Sequence, residues 1–218
     1  TWALKRLEAR VAKSLFEYNA ARTNRLYAPK QYAQPAESSQ NQRDRVVMMY
    51  EAQDLVQNFP EAREISRKFG TYLTPNEYSP TTGDRDYNQT ISEYFHAWCK
   101  TCDVTNRHSF KKLVQLAAEE RPVDGDCGFV IRRSGEGLKL QLVPATRIGN
   151  PNDTAVASNN YFQGIITNDF GQPVAYRIYR VSRDGVYFGA EDIPANQFCH
   201  YMDPFRVDQY RGITDFHA

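Results

Sequence analysis

Hydrophobic residues follow two different spacings in the two halves of this chain. Up to about residue 120 they recur every three or four positions, which is typical of amphipathic helices. Beyond that point, short β-branched or aromatic runs are separated by Gly, Asp, Asn and Pro, which is typical of strands joined by turns. The runs cover residues 129–132, 138–143, 161–167, 174–179, 185–188 and 197–202. We therefore predict an α+β fold, with a helical N-terminal half followed by an antiparallel β-rich meander.

The chain divides into three segments of different character. Residues 1–42 combine an amphipathic helix over 2–25 with a Pro-containing arm that has no periodicity of its own. Residues 43–121 continue the helical pattern, and residues 122–218 hold the β-rich part. Because the arm lacks the apolar spacing needed to fold alone, we expect residues 1–42 to contact a neighbouring molecule.

Capping residues indicate where the helices after the arm begin and end. Asn58 can cap a helix whose first turn contains Pro60, and Gly70 suits the end of that helix. Asn88 and Ser109 can cap two further helices. The pattern thus predicts a helical hairpin or one kinked long helix, followed by two more helices.

Turn residues mark the start of the β-rich part. Pro122 is expected to end the last helix, because proline disfavours helical backbone at the residue before it. Asp124, Gly125 and Asp126 follow and predict a turn in which side chains accept backbone hydrogen bonds. A magnesium or acid–base site built on the two carboxylates is the less common alternative. Asn168-Asp169-Phe170-Gly171 predicts a hairpin, since Asn, Asp and Gly tolerate positive φ.

Charge is distributed unevenly along the chain. The formal net charge is only +1, yet residues 1–45 carry nine Lys or Arg against four acids. A basic arm can contact nucleic acid or an acidic partner, but solvated helix faces have the same composition. The whole chain lacks the basic excess of a dedicated DNA-binding domain. It also lacks any run of 18 apolar residues, so we expect no membrane contact.

The WCxxC sequence from Trp98 to Cys102 has the spelling of a thioredoxin-type redox site. That motif must follow a strand and open a helix. Here Trp98, Cys99 and Cys102 continue the pattern of a helix that has already begun. We therefore expect structural cysteines.

A zinc site could in principle combine this pair with Cys127 and either Cys199 or His200. Only one closely spaced pair is present, however, and buried free cysteine is the more common outcome. The chain has no P-loop, GxGxxG, GxSxG or HExxH motif. We assign it no catalytic residue, no cofactor and no metal site.

Several short motifs recur along the chain in a characteristic order and spacing. They are Arg22-Thr23-Asn24-Arg25-Leu26, residues 54–63, 98–103, 109–110 with 113–118, 124–130, 140–148, 163–165 with 171–176, and 204–212. In their order and spacing these motifs make the chain resemble the N-terminal part of lambda-like portal proteins of tailed bacteriophages, and the resemblance extends over nearly the whole chain. One departure is Phe69-Gly70-Thr71-Tyr72-Leu73, where the family leads us to expect a Val-Gly-x-Gly-like turn.

The resemblance implies a structural subunit without chemistry of its own. Such subunits form a ring, a dodecamer by resemblance, at one capsid vertex through which double-stranded DNA is packaged and ejected. Implied partners are the terminase large subunit, a head–tail adaptor, and the major capsid and scaffold proteins. The implied location is the virion, with the host cytoplasm during assembly. This chain would supply the wing, with the stem, clip and crown lying beyond Ala218.

The segment before Gly212 is the candidate for a subunit contact or a hinge between wing and stem. Pro204 lacks a backbone donor and cannot continue a central strand, and Gly212 allows a sharp change of direction. Arg206 and Arg211 can each bind a carboxylate through two hydrogen bonds. An ordinary solvated loop is the alternative. The candidate contact residues are Arg206, Asp208, Gln209, Arg211 and Gly212.

Two other functional classes stay open at this point. One is a nucleic-acid-binding module that uses the basic N-terminal arm. The other, less favoured, is an enzyme that uses a Cys99/Cys102 redox pair or an Asp124/Asp126 metal site.

Overall fold

Four helices occupy the first half of the computed structural model, which describes residues 42–73, 78–135, 137–150 and 160–216. The helices are α1 (Gln42–Asn58), α2 (Pro60–Leu73), α3 (Arg85–Thr101) and α4 (Phe110–Asp124). The predicted helix over 2–25 and nearly all of the arm lie outside the described residues.

Two antiparallel sheets follow, which confirms the predicted α+β class. Their strands are β1 (Asp126–Ser134), β2 (Gly137–Pro144), β3 (Tyr161–Phe162), β4 (Ile165–Thr167), β5 (Pro173–Val181), β6 (Tyr187–Pro194) and β7 (Phe198–Met202). The first sheet has the order β2-β1-β7, and the second has the order β3-β4-β5-β6.

The β-rich part forms antiparallel sheets, as predicted, but it is not a meander throughout, because β7 returns to the first sheet. It pairs with β1 from Asp126 opposite Met202 to Val130 opposite Phe198. Only the second sheet is a meander. Turn composition reveals strands but not their partners, so the return was not visible in the sequence. The strand predicted at 185–188 also lies later, as β6.

The hairpin predicted at 168–171 is confirmed. It joins β4 to β5, and the backbone N–H of Asn168 donates to the carbonyl of Gln172 at 2.9 Å. Gly171 has φ +77°, the left-handed conformation that made glycine the expected residue there.

Several predicted helix boundaries need correction, whereas Ser109 caps α4 as expected by accepting from the N–H of Lys112. Asn58 is the last residue of α1 rather than the cap of α2, and its amide donates back to the carbonyl of Asp54. Asn88 lies inside α3, and Asp84 is the cap, because its carboxylate accepts from two backbone N–H groups of the first turn. Asparagine and aspartate are both common N-caps, so residue type alone did not distinguish Asp84 from Asn88.

Gly70 does not end α2, and Pro122 does not end α4. Gly70 is buried inside α2, where a Cβ would lie 2.5 Å from Cγ of Glu119 on α4. The glycine therefore serves close packing, and residues 69–73 form the end of α2. Helix α4 continues two residues past Pro122 to Asp124 and is capped by Gly125, whose N–H donates to the carbonyl of Arg121 at 2.8 Å.

The main core lies between the two sheets. It joins side chains of the first sheet to those of the second, and α4 packs against α1, α2 and β1 beside it. The core residues are Val130, Val143, Ile148, Ile165, Tyr176, Ile178, Ile193 and Phe198.

Candidate functional site

Arg211 is the most completely enclosed charged side chain of the candidate segment, with 0% of its surface exposed. Its Nε and Nη2 donate to the two carboxylate oxygens of Asp126, at 2.7 and 2.9 Å. Its remaining N–H groups donate to the carbonyls of Ala145, Ile148 and Gln163 at 3.0, 2.6 and 2.6 Å. All five guanidinium donors are therefore used.

Asp126, the partner of Arg211, is also fully buried. Its Oδ2 additionally accepts from the N–H of Gly212 at 2.9 Å and lies 3.2 Å from Nε2 of His200. Burial by itself would raise the pKa of Asp126, but the Arg211 guanidinium outweighs burial and holds that pKa well below its usual range. The carboxylate is therefore charged throughout the physiological pH range.

Two glycines allow the chain to reach this position. Gly125 has φ +90°, and a Cβ there would lie 2.7 Å from backbone atoms of Gly212 and Ile213. A Cβ on Gly212 would collide with the carbonyl oxygen of Gly125. The backbone after α4 and the backbone after Arg211 thus cross in direct contact, which only residues without a side chain permit.

The same segment is fastened to the end of α4 by further bonds. The hydroxyl of Thr214 and the N–H of Asp215 both donate to the carbonyl of Pro122, at 3.0 and 2.8 Å. Arg121 binds the carboxylates of Asp203 and Asp215 on either side of the loop. The bonds from Thr214 and Asp215 satisfy the carbonyl of Pro122, which lies in the last turn of α4 and has no partner within the helix.

We call the set of Asp126, Arg211, Gly125 and Gly212 the arginine junction. It joins the start of β1, the turn after β2, the turn between β3 and β4, and the 203–216 segment. Helix α1 reaches the same place, because Nε of Arg45 donates to the side chain of Gln163 at 2.8 Å. Both sheets and the segment therefore meet at one buried cation, while α1 is bonded to Gln163 beside it and α4 is capped by Gly125.

The other predicted contact residues lie outside the junction. Gln209 is buried and shapes the preceding loop: its Oε1 accepts from the N–H of Phe205, and its Nε2 donates to the carbonyl of Arg211. Arg206 and Asp208 lie at the loop tip, 3.6 Å apart, and both are partly exposed. The two arginines, treated as equivalent from the sequence, thus occupy opposite environments.

Asp124 belongs to a separate group of buried acids. Its Oδ1 accepts from Nε2 of Gln53 on α1 at 2.8 Å. Burial raises the pKa of Glu120 to about 8, and the charges of Asp124 and Asp126 add to that increase. Burial likewise raises the pKa of Asp124 to about 6. Glu120 was not predicted from the sequence, although its position one helical turn before Asp124 was visible there.

The four cysteines differ in how far their side chains are exposed. Cys102 and Cys127 are buried, Cys99 is half-buried and Cys199 is exposed. Burial raises the pKa of Cys99 and Cys102, whereas a redox thiol needs a lowered pKa. In the described part of the chain, no group of three or more His, Cys, Asp or Glu side chains is arranged to hold a metal ion.

Comparison with known sequences identifies the chain's relatives. The family described as phage portal protein, lambda family, matches residues 23–218. The chain belongs to this family of structural proteins, as the resemblance indicated. It is similar to a protein named probable portal protein from Halomonas phage phiHAP-1, with 29% identity over 147 residues. That match covers 62% of this chain and 28% of the relative.

Two further expectations can be compared with the structure. No helix among the described residues is long and apolar enough to cross a membrane. The basic arm lies almost entirely outside the described residues. Two of the nine early basic residues, Arg43 and Arg45, lie in α1, where Arg43 is exposed and Arg45 is buried and bonded to Gln163.

Proposed function

We propose that this chain is the wing portion of a portal subunit, and that its copies form a ring at one capsid vertex, with twelve subunits by family resemblance. Double-stranded DNA is packaged through the ring by a terminase and later ejected through it. The family match over residues 23–218 is the observation that carries this proposal. The ring itself needs no chemistry, because the terminase supplies the ATP-driven step.

The remaining partners follow from the same assignment. A head–tail adaptor and the major capsid and scaffold proteins contact the ring, which assembles in the host cytoplasm and remains in the virion. A DNA conduit must let its cargo slide, and numerous phosphate contacts would oppose sliding. The near-neutral formal charge of +1 is compatible with that requirement.

We propose that the arginine junction fixes the angle between the β-rich wing and the stem. Arg211 binds carbonyls from the turns of both sheets, so a change in the path of the 203–216 segment would break bonds in both. A lysine cannot reproduce five donors in a planar fork. Residues 1–42, 43–121 and 122–218 then act as arm, helical part and β-rich part of the wing.

Electron microscopy of the purified full-length protein tests the ring directly. Closed rings of uniform size are expected, and a protein that stays monomeric at assembly concentrations would contradict the proposal.

Arg211→Lys in the full-length protein tests the hinge, with Arg206→Lys as the matched control. Arg211→Lys is expected to give folded subunits that form irregular rings or package little DNA, while Arg206→Lys packages normally. Circular dichroism establishes that both variants are folded. Normal packaging by Arg211→Lys would show that the junction has no hinge role.

A further inference from the structure

Helix α3 presents an apolar face that the described structure leaves largely open. None of its 17 residues is buried. Tyr87 and Tyr94 are 54% and 72% exposed. With the half-buried Ile91 and Trp98 they follow one another at spacings of four, three and four residues, which places all four on one side of the helix. Trp98 also packs on Phe110 of α4 and donates to the carbonyl of Leu138, so the open part of this face is centred on Tyr87 and Tyr94. We call these four residues the α3 seam.

Helix α2 carries a second open apolar stripe. Its small residues Ala62, Ser66 and Gly70 are buried, and the hydroxyl of Ser66 donates to the carbonyl of Glu119 on α4. The adjacent flank of α2 holds Ile65, Phe69, Tyr72 and Leu73, all of which are exposed, Tyr72 by 82%. We call these four residues the α2 flank. Large exposed apolar stripes of this kind mark interaction surfaces.

Charges beside the two stripes complement each other when the helices run in opposite directions. In α2 the acids Glu61 and Glu64, with Arg63 between them, precede the bases Arg67 and Lys68. In α3 the first residue is Arg85, followed by the acids Asp86 and Glu93 and, near the end of the helix, by Lys100. Antiparallel packing places Lys100 near Glu61 and Glu93 near Lys68, whereas parallel packing would bring like charges together.

Both helices have suitable lengths for such a contact. The 14 residues of α2 and the 17 residues of α3 give cylinders of similar length, about 21 and 26 Å at 1.5 Å per residue. The two stripes lie on different helices of the same subunit. A closed ring requires two different surfaces of one subunit that fit each other, because each subunit meets its neighbours head to tail.

We propose that the α2 flank of one subunit packs antiparallel against the α3 seam of the next copy of this chain. This interface rests on the proposed ring and specifies which surfaces close it. Helices in such packing lie about 8–10 Å apart. In this arrangement we place Tyr72 opposite Tyr87. Ile65 then lies opposite Tyr94, because Ile65 and Tyr72 are seven residues apart in α2, as Tyr87 and Tyr94 are in α3.

Disulfide cross-linking in the full-length protein tests the interface. The background carries Cys99→Ser and Cys199→Ser, which removes the thiols that are not buried. Two variants add the antiparallel pairs, Tyr72→Cys with Tyr87→Cys and Ile65→Cys with Tyr94→Cys. Two matched controls add the parallel pairs, Tyr72→Cys with Tyr94→Cys and Ile65→Cys with Tyr87→Cys. A disulfide forms only when the Cα atoms approach within about 7 Å.

The antiparallel pairs are expected to give a ladder of covalent oligomers on a non-reducing gel, and the parallel pairs only monomer. Cross-linking of the parallel pairs instead would overturn the antiparallel arrangement. Intact rings in which neither the antiparallel nor the parallel cysteine pairs cross-link would overturn the proposed interface but not the proposed ring. A protein that forms no ring before oxidation would instead contradict the proposed function.

Charge placed in the seam gives an independent measurement. Tyr94→Asp is expected to shift full-length protein from rings to monomers without changing its circular dichroism spectrum. Phe170→Asp is the control, since Phe170 is 95% exposed on the β4–β5 hairpin and belongs to neither stripe. Equal assembly by the two variants would count against the seam.

Discussion

Replacing Arg211 by methionine should remove a large part of the folding free energy. Methionine fills much of the same volume but donates no hydrogen bond. Asp126 would stay buried without its cation, and removal of one partner from a buried pair costs about 3–5 kcal/mol. The three carbonyls that Arg211 now satisfies would each cost about 1–3 kcal/mol unless water replaced the guanidinium.

These values imply a loss of at least about 3 kcal/mol, out of a typical total of about 5–15 kcal/mol. Urea unfolding of the 218-residue chain, followed by circular dichroism, measures the loss. Arg206→Met is the matched control, because Arg206 is partly exposed and its ion pair with Asp208 is long. We expect that control to lie within about 1 kcal/mol of the parent protein.

A double-mutant cycle separates the ion pair from the rest of the arginine's contacts. The variants are Arg211→Met, Asp126→Leu and the two combined. The combined variant should be about 2–3 kcal/mol more stable than the sum of the single losses predicts, because neither charge is then left alone. If Arg211→Met proves too unstable to purify, Arg211→Lys supplies a milder version of the same comparison. Equal small losses in Arg211→Met and Arg206→Met would refute the reasoning.

Three further predictions concern the neighbourhood of the junction. Burial raises the pKa of Glu120 to about 8 and of Asp124 to about 6, so their contribution to the free energy of unfolding should be greatest below pH 4 and should fall as the pH rises towards 8. Glu120→Gln should flatten this decline when urea unfolding is measured between pH 5 and pH 8.5. An unchanged dependence of the unfolding free energy on pH would contradict this prediction. Gly212→Ala should destabilise the protein by more than about 2 kcal/mol, because the new Cβ would collide with the backbone of Gly125. The control Gly135→Ala has open space around it and should change stability by less than about 0.5 kcal/mol. Similar melting temperatures for the two variants would show that the two crossing backbone segments can move apart at little cost. A thiol reagent should label Cys199 fastest and leave Cys102 and Cys127 unreacted in native protein, and zinc near one equivalent per chain by elemental analysis would argue against structural cysteines.

The features that the sequence predicted correctly are local ones. The α+β class and the hairpin at 168–171 follow from short-range periodicity and from residues that tolerate positive φ. The cap at Ser109 depends on one side chain and one N–H group three residues later. Each of these needs only information within a few residues.

The features that were missed depend on contacts between distant parts of the chain. Gly70 was predicted to end its helix, but it lies inside α2, where a larger side chain would collide with Glu119 on α4. The pairing of β7 with β1 joins residues about 70 positions apart, and no local pattern specifies it. His200 and Arg121 also contribute to the site, yet nothing in their neighbouring residues indicated that role.

Arg211 was singled out from the sequence for the right chemistry, because its side chain does bind a carboxylate through two bonds. The partner and the burial were not predicted. Asp126 was interpreted as a turn residue; in the structure it begins β1, and the N–H it accepts belongs to Gly212, 86 positions along the chain, rather than to a neighbouring turn residue. Whether these residues act as a hinge stays a prediction.

The return of β7 to β1 has a consequence for the order in which the protein can fold during synthesis. Asp126 leaves the ribosome 85 residues before Arg211, and β1 lacks one of its two neighbours until β7 has followed. During that interval a carboxylate destined for the interior has no cation, so the first sheet cannot close around it. Folding of this region is therefore expected to be late and slow, as is general for proteins rich in long-range pairings. A nascent chain stalled before residue 211 should remain sensitive to protease in β1, and one stalled well beyond it should not.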